Sequence, residues 1–384
     1  MERPYDIFGQ FFNKLQEEEA NMQTVNLMVV GKTGVGKSTL INSVFRENLA
    51  DTGIGTPVTR HLQKITKPGV PLTLYDTRGL ELDQAVQQEI EQEILDEIEA
   101  RFRVGASEHF IHMLWYCINS GTRRIEAFEI EWIRAFAARL PVIVVLTQSV
   151  GKDYKELAKY IRELNLPVKS IHPVLARDYE ISDDIVLPAF GLRELVDTTF
   201  DCLPEAVRTA FINAQKVNVQ RKLETANRAV LPFITAAFAE GYNPLPFADA
   251  ALLVPTQLAM LARLTVIFGV PINKTLMTSI ISAVLGTGGA TAIGRTIVAN
   301  VFKFLPGVGS LIGGTINATT AAIITAALGL AYNQVMAAIV RRIYAGESVS
   351  EAEMVALMKT KFSEQMKRGK ELLKSGQHED SGDE

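Results

Sequence analysis

The stretch Gly31-Lys32-Thr33-Gly34-Val35-Gly36-Lys37-Ser38 fits the spacing GxxxxGK[ST] and follows an apolar run from Val25 to Val30. That spacing suits the holding of phosphate. Glycines let the backbone wrap so that successive N–H groups point inward at phosphate oxygens, and a helix predicted over Ser38 to Phe45 presents its positive N-terminus there. Lys37 then reaches the β- and γ-phosphates, Ser38 offers its hydroxyl to Mg²⁺, and Thr39 follows in the same turn. A second group, Asp76-Thr77-Arg78-Gly79, comes directly after the apolar Leu72 to Tyr75 and fits DxxG. There the aspartate orients Mg²⁺ through water and the Gly79 N–H contacts the γ-phosphate. Between the two groups, Gly55 to Arg60 contains Thr56 and Thr59. Either suits a switch hydroxyl that completes the Mg²⁺ shell only while the γ-phosphate is present, and Thr59 is chosen over Thr56. Ordinary loop residues are the alternative reading for both.

Such residues need strands whose ends converge. Apolar runs bounded by turns recur at Leu72 to Tyr75, His109 to Ile118, Pro141 to Leu146 and Val168 to Leu175, with charged helical segments between them. This alternation predicts an α/β domain, a mostly parallel sheet with helices on both faces, followed by an all-α C-terminal domain. Ligands in such sheets sit at the carboxyl ends of the strands, where both motifs fall. The expected divisions are an amphipathic helix within 1–23 carrying Phe8, Phe11, Phe12 and Leu15, a nucleotide domain over 24–204, a helical domain over 205–370, and an acidic disordered tail over 371–384. The first helix reads as core packing or as a membrane or partner contact.

The strings GKTGVGKSTLINSVF, TPVTR, YDTRGLE and LWYCINSGTRRIE together resemble a P-loop GTPase of the translation-factor-related class. The nearest branches are Era-like, septin-like and immunity-related, and the resemblance covers roughly residues 24 to 203. It implies binding of GTP and GDP with Mg²⁺, slow hydrolysis to GDP and phosphate, and switch segments that report the nucleotide state. By the same resemblance Lys37 and Ser38 serve phosphate and Mg²⁺, Thr59 senses the γ-phosphate, and Asp76 with Gly79 forms the second switch. The C-terminal half resembles the helical domain of unknown function that accompanies bacterial GTPases.

Two positions depart from the family pattern. Its guanine-reading motif is [NT]KxD, and here Thr147 and Gln148 take the first two places while Val150 stands where the aspartate belongs. Loss of a charged acceptor costs roughly 1.5–3 kcal/mol, about ten- to a hundredfold or more in base discrimination. Asp153 reads as the start of the next helix, and Ala176 lies in the loop whose backbone faces the base. The residue after DxxG is Leu80, where small signalling GTPases place a water-orienting glutamine. Hydrocarbon cannot orient water, so positioning must come from backbone, another side chain or a partner; Arg78 is a candidate charge stabiliser in cis or across a dimer, with a solvated switch arginine as the alternative. Lys32 occupies the place of a lysine that crosses a dimer interface in MinD-like ATPases, although septin-like and chloroplast-import GTPases share the loop without that role. Arg123 and Arg124 read as contacts between paired G domains in a homodimer or as a solvated helix start.

Composition shifts along the 384 residues, whose net charge is −4. Charged groups crowd the first half, while residues 228 to 345 are rich in Ala, Thr, Gly, Leu and Ile. The segments Thr275 to Gly294 and Phe304 to Val340 pass the length test for membrane insertion, and Pro306 to Ser310 would break them into a helical pair. Arg263, Arg295 and Lys303 count against it. Stable insertion, nucleotide-dependent peripheral contact and a soluble bundle packed through small residues all remain readings of 228–345. The expected location is the cytoplasmic side of a membrane or the cytoplasm. No nucleic-acid partner is expected, since no Lys/Arg cluster with interleaved aromatics occurs. Two cysteines without metal spacing suit a reducing compartment.

Overall fold

The computed structural model describes residues 7–77, 84–241, 248–271, 273–285 and 318–379. These form two compact units, one of the described residues between 22 and 218 and the other joining residues 7–21 to the described residues from Val219 onward. The first described helix, α1 (Ile7–Ala20), therefore belongs with the C-terminal half of the chain.

In the unit of residues 22–218, β1 (Val25–Val30) is buried along its whole length. Its apolar run, interrupted by Asn26, follows from its place between two other strands under helices on both faces. After it come α2 (Lys37–Val44), α3 (Leu49–Thr52), β2 (Ile54–Pro57), β3 (Leu62–Thr66), β4 (Leu72–Thr77), α4 (Gln84–Arg103), β5 (Met113–Asn119), α5 (Ala127–Ala137), β6 (Val142–Thr147), α6 (Asp153–Glu163) and β7 (Ser170–Pro173). The sheet order is β2-β3-β4-β1-β5-β6-β7, with β3 antiparallel to both its neighbours β2 and β4 and every other pair parallel. A small hairpin, β8 (Tyr179–Ser182) and β9 (Ile185–Leu187), precedes α7 (Leu192–Cys202) and α8 (Glu205–Ala214).

Register lines up the motif-bearing strand ends. Val29 pairs with Asp76, Val30 with Tyr116, and Asn119 with Thr147, so all four strands deliver their last residues to one edge. Alternation along β5 serves the two faces: Trp115 stacks on Phe45 of the α2 end and donates to Thr199 Oγ1 at 3.0 Å, while Tyr116 joins Trp132, Ile133 and Phe136 on the other side.

The break between units falls at Asn218/Val219, beyond the expected 204/205. The end of α8 and the residues that follow are bonded to α2 and the chain leaving it: Lys216 N donates to Val44 O at 2.9 Å, Arg46 N to Ala214 O at 2.9 Å, and Lys216 Nζ to Asn42 O at 2.6 Å. A charged helical run there signals solvent exposure, not domain membership.

The second unit comprises α1, α9 (Val219–Ala229), α10 (Leu231–Glu240), α11 (Ala248–Phe268), α12 (Lys274–Leu285), α13 (Ala318–Tyr344) and α14 (Glu351–Glu379). The central α13 packs on α9, α10, α11 and α14, and α1 packs on α11 with Phe11 fully buried. Gly329 permits the close approach, because a Cβ there would lie 2.9 Å from Met260 Sδ and from Val230. Polar residues pair across helices: Thr265 with Tyr332 at 2.6 Å, Asn333 with Asn227 at 3.0 Å, and the buried Lys222 with the last carbonyl of α11 at Phe268, 2.9 Å. A lysine at a helix C-terminus meets both an otherwise orphaned carbonyl and the negative end of the dipole.

Among the described residues only α13 is long and apolar enough to cross a membrane, with a mean hydropathy of 1.7 in its most apolar stretch, of which 72% is buried inside the unit. The expected break at Pro306 to Ser310 and the residues Arg295 and Lys303 lie outside the described residues. So do 286–294 of the other apolar segment, whose earlier part forms α12. Residues 371–379, expected as disordered tail, continue α14 as helix.

Candidate functional site

The loop between β1 and α2 is shaped by three glycines. Gly34 and Gly36 have φ of 76° and 97°, values that L side chains adopt only with strain. Gly31 is fixed by space, since a Cβ would come within 2.4 Å of the Cys117 carbonyl oxygen on β5. Lys32, Thr33, Gly34 and Val35 form the arch, Lys37 opens α2, and Ser38 and Thr39 follow in its first turn. The Lys37 side chain folds back under the arch, donating to Gly31 O at 2.6 Å and Lys32 O at 3.1 Å. Its cation therefore lies at the centre of the loop, where the backbone wraps around it.

Beneath the loop sits Cys117, whose thiol is pushed up to about 12 chiefly by burial, with Lys37 lowering it and Asp76 raising it. Both charges thus converge on the floor of the site. Asp76 arrives there as the neighbour of Val29, one strand over from the loop.

The far wall comes from the end of β6. Thr147 Oγ1 lies 2.5 Å from Val35 O and 3.1 Å from Ile118 O, so its hydroxyl ties the arch to two strand ends. Gln148, in left-handed conformation at φ 53°, donates from Nε2 to Gly34 O at 3.1 Å and accepts from Asn119 Nδ2 at 3.3 Å. It spans the loop in the place of the family's lysine. Ser149 N donates to Val174 O at 3.2 Å, which brings the loop of Ala176 against the same wall. Val150 is half-buried there and supplies no acceptor. Asp153 does not replace the missing aspartate: it opens α6 and pairs with Arg123 at 2.6 Å. Arg124 pairs with Glu126 at 3.4 Å.

Two expected residues have other partners. Thr59 lies in the turn joining β2 to β3, beside Leu62, which pairs with Thr77 at the site edge. Its hydroxyl donates to Glu93 Oε2 on α4 at 2.6 Å and accepts from Leu62 N at 3.0 Å. His61 Nδ1 approaches the same Glu93 oxygen at 3.3 Å. Lys32 turns to α5, with Nζ 3.4 Å from Glu126 and 3.7 Å from Glu129, and lies over the Phe128 ring at 5.1 Å. Arg78, Gly79 and Leu80 lie outside the described residues.

Glu93, Glu129 and Asn119 are the participants that sequence reasoning missed. Glu126 and Glu129 did carry a local signal, the i, i+3 spacing of a capping box, and Glu129 Oε2 accepts from Glu126 N at 2.9 Å. Glu93 has none, because 34 residues separate it from Thr59.

A glycine-bent loop at the carboxyl end of a central parallel strand, with Asp76 beside it, gives residues 22–218 the fold of a P-loop GTPase domain, and the described residues that follow are helical. More specifically, residues 26–168 match the family described as 50S ribosome-binding GTPase. Human Septin-12 is 24% identical over 188 residues, covering 42% of this chain and 52% of the septin. Magnetosome membrane protein 22 of Magnetospirillum gryphiswaldense is 28% identical over 88 residues, covering 23% of this chain and 45% of that protein. A crystal structure of a probable GTP-binding protein engB superposes with a TM-score of 0.33 at 19% identity, covering 46% of this chain and 98% of the other. The chain thus spans about half the length of the curated septins it matches.

The Glu129 carboxyl is 2% exposed, and burial raises its pKa against the opposing pull of the Glu126 N–H and Lys32. A carboxyl harder to ionise when folded loses stability as pH rises, from the unfolded value of 4.5 upward. Glu129→Gln abolishes this slope. Urea midpoints of wild type should fall relative to those of the variant between pH 4.5 and pH 7; parallel midpoints would refute the assignment.

Proposed function

We propose that this protein is a GTP-binding switch that hydrolyses GTP slowly to GDP and phosphate and couples nucleotide state to its helical unit. The observation that carries the reading is Lys37 centred under an arch whose floor, Cys117, also feels Asp76. Oxygen donors suit Mg²⁺, and the chain has the right ones: the Ser38 hydroxyl is exposed at the start of α2, and the Asp76 carboxylate stands one strand away. These residues would hold the ion, which neutralises phosphate charge when bound.

In this reading water attacks the γ-phosphate in line, and the Gly31-to-Ser38 amides with Lys37 stabilise the charge that gathers on the phosphoryl oxygens. For Thr59 to sense the γ-phosphate it must leave Glu93, so nucleotide binding competes with that hydrogen bond. Together with Leu80, whose side chain cannot orient water, this supports slow turnover. Arg78 and Gly79 keep their proposed parts, charge stabilisation and γ-phosphate contact. Val150 supports a second reading, a nucleotide-gated scaffold with negligible turnover. Pairing of two G domains is proposed on the likeness to septins alone, because Arg123, Arg124 and Lys32 all have partners within the chain.

Contact with a membrane through residues 228–345, on its cytoplasmic side, is supported by the hydropathy of α13 and by the likeness to a magnetosome membrane protein. The burial of α13 favours contact over spanning.

Lys37→Ala should weaken Mg²⁺-dependent binding of a fluorescent GTP analogue at least a hundredfold, and unchanged affinity would defeat the reading. Competition among GTP, ATP and XTP measures base choice: Val150→Asp should increase the preference for GTP about ten- to a hundredfold. No gain would show that the base is read elsewhere. Purified protein should float with anionic vesicles more with a non-hydrolysable GTP analogue than with GDP; equal flotation removes the coupling to membrane.

A further inference from the structure

The nucleotide unit contains a cavity of about 530 Å³ on the edge opposite the phosphate loop, where β5 and β6 begin. Its volume lies within the roughly 300–1,000 Å³ of small-molecule pockets. The interior is apolar, with Ile98 and Leu140 behind and Phe102 stacked on Phe110 at 4.9 Å between ring centres. Phe102 is 67% exposed, an unusual state for so large an apolar side chain at the end of a helix.

The wall is pre-formed. Asn26 on β1 donates from Nδ2 to Glu108 O and Phe110 O, both at 2.8 Å, and its N–H donates to His112 Nδ1 at 3.0 Å. The segment that carries Phe110 is thereby held to a central strand.

Among the described residues that line it, the charged side chains are Glu99, Arg103 and Arg139, all partly exposed at its mouth. Glu99 accepts from Arg103 at 3.0 Å and lies 3.5 Å from Arg139 Nε, so two guanidinium groups bracket one carboxylate, and Arg139 also faces Glu91. Exposed pairs of this kind are weak and easily exchanged. The mouth already shows the geometry in which two arginines accept a carboxylate.

We infer that this cavity binds a single-chain fatty carboxylate, its chain between Phe102, Phe110, Ile98 and Leu140 and its head shared by Arg103 and Arg139. One chain matches the volume, and a carboxylate matches the bracket that Glu99 now fills. The inference does not rest on the nucleotide chemistry at the other edge.

Cys202 lines the same cavity and is partly accessible, whereas Cys117 is buried, so one thiol reports and the other serves as reference. The experiment follows alkylation of full-length protein by iodoacetamide, read from the mass of the Cys202 peptide, with dodecanoate below its micellar concentration. Dodecanoate should slow alkylation at least fivefold, dodecanol less, and dodecyltrimethylammonium not at all. The surface double variant Arg103→Gln/Arg139→Gln should lose the protection, and Leu140→Trp, which fills the cavity, should lose it too. Absence of protection by dodecanoate overturns the proposal. Equal protection by all three amphiphiles, or protection that survives in the double arginine variant, overturns the carboxylate assignment in favour of a neutral occupant or an apolar peptide.

Discussion

The nucleotide unit depends on the close approach of Gly31 to the Cys117 carbonyl, a place where even a methyl group would collide with backbone. That approach is possible because β1 and β5 are direct neighbours in the sheet, paired from Leu27 with Met113 to Val30 with Tyr116. The chain leaving β1 therefore turns over the end of β5 before entering α2. Everything else at the site is arranged around the turn: Thr147 reaches Val35 from beyond β5, Gln148 reaches Gly34, and Lys37 closes the arch from within. The order β4-β1-β5 places this point where the strand connections diverge to either side, the position at which open α/β sheets hold ligands.

Around the arch, polar and charged side chains are held by partners outside the phosphate path. Lys32 is drawn to Glu126 and Glu129, Asp153 to Arg123, and Thr59 to Glu93. α4 is the common member of two of the structure's distinct regions: its middle grips the β2–β3 turn through Glu93, and its last turns carry Glu99, Phe102 and Arg103 at the opposite edge. One rigid helix thus runs from the segment expected to sense phosphate to the mouth of the apolar cavity.

How much of this the sequence discloses depends on how local the cause is. β1, the loop and α2 are legible because an apolar run, three glycines and a helix start are contiguous. The strand expected from His109 starts instead at Met113, since Ile111 and His112 are buried without being paired as strand. β2 and the β8–β9 hairpin are exposed throughout or nearly so, and leave no apolar period to read. Thr59 shows the deeper limit: its place in a turn is local, but its partner is fixed by the docking of α4. In the helical unit, Thr, Asn and Gly fit either a membrane segment with polar interruptions or a close-packed bundle. Composition does not separate these, because the pairs Thr265–Tyr332 and Asn333–Asn227 exist only once the helices are assembled.

The membership of α1 in the C-terminal unit gives the chain the topology of an insertion: the nucleotide unit interrupts the helical one and joins it at both ends, at Asn21/Met22 and Asn218/Val219. During synthesis α1 precedes α11, against which it packs, by more than two hundred residues. At roughly 5–20 residues per second its Phe11 face must wait on the order of ten to fifty seconds for a partner. The nucleotide unit, whose residues are contiguous, can complete its sheet within that interval. The connectivity thereby allows the nucleotide unit to fold first and the helical unit to close once α11 has been made.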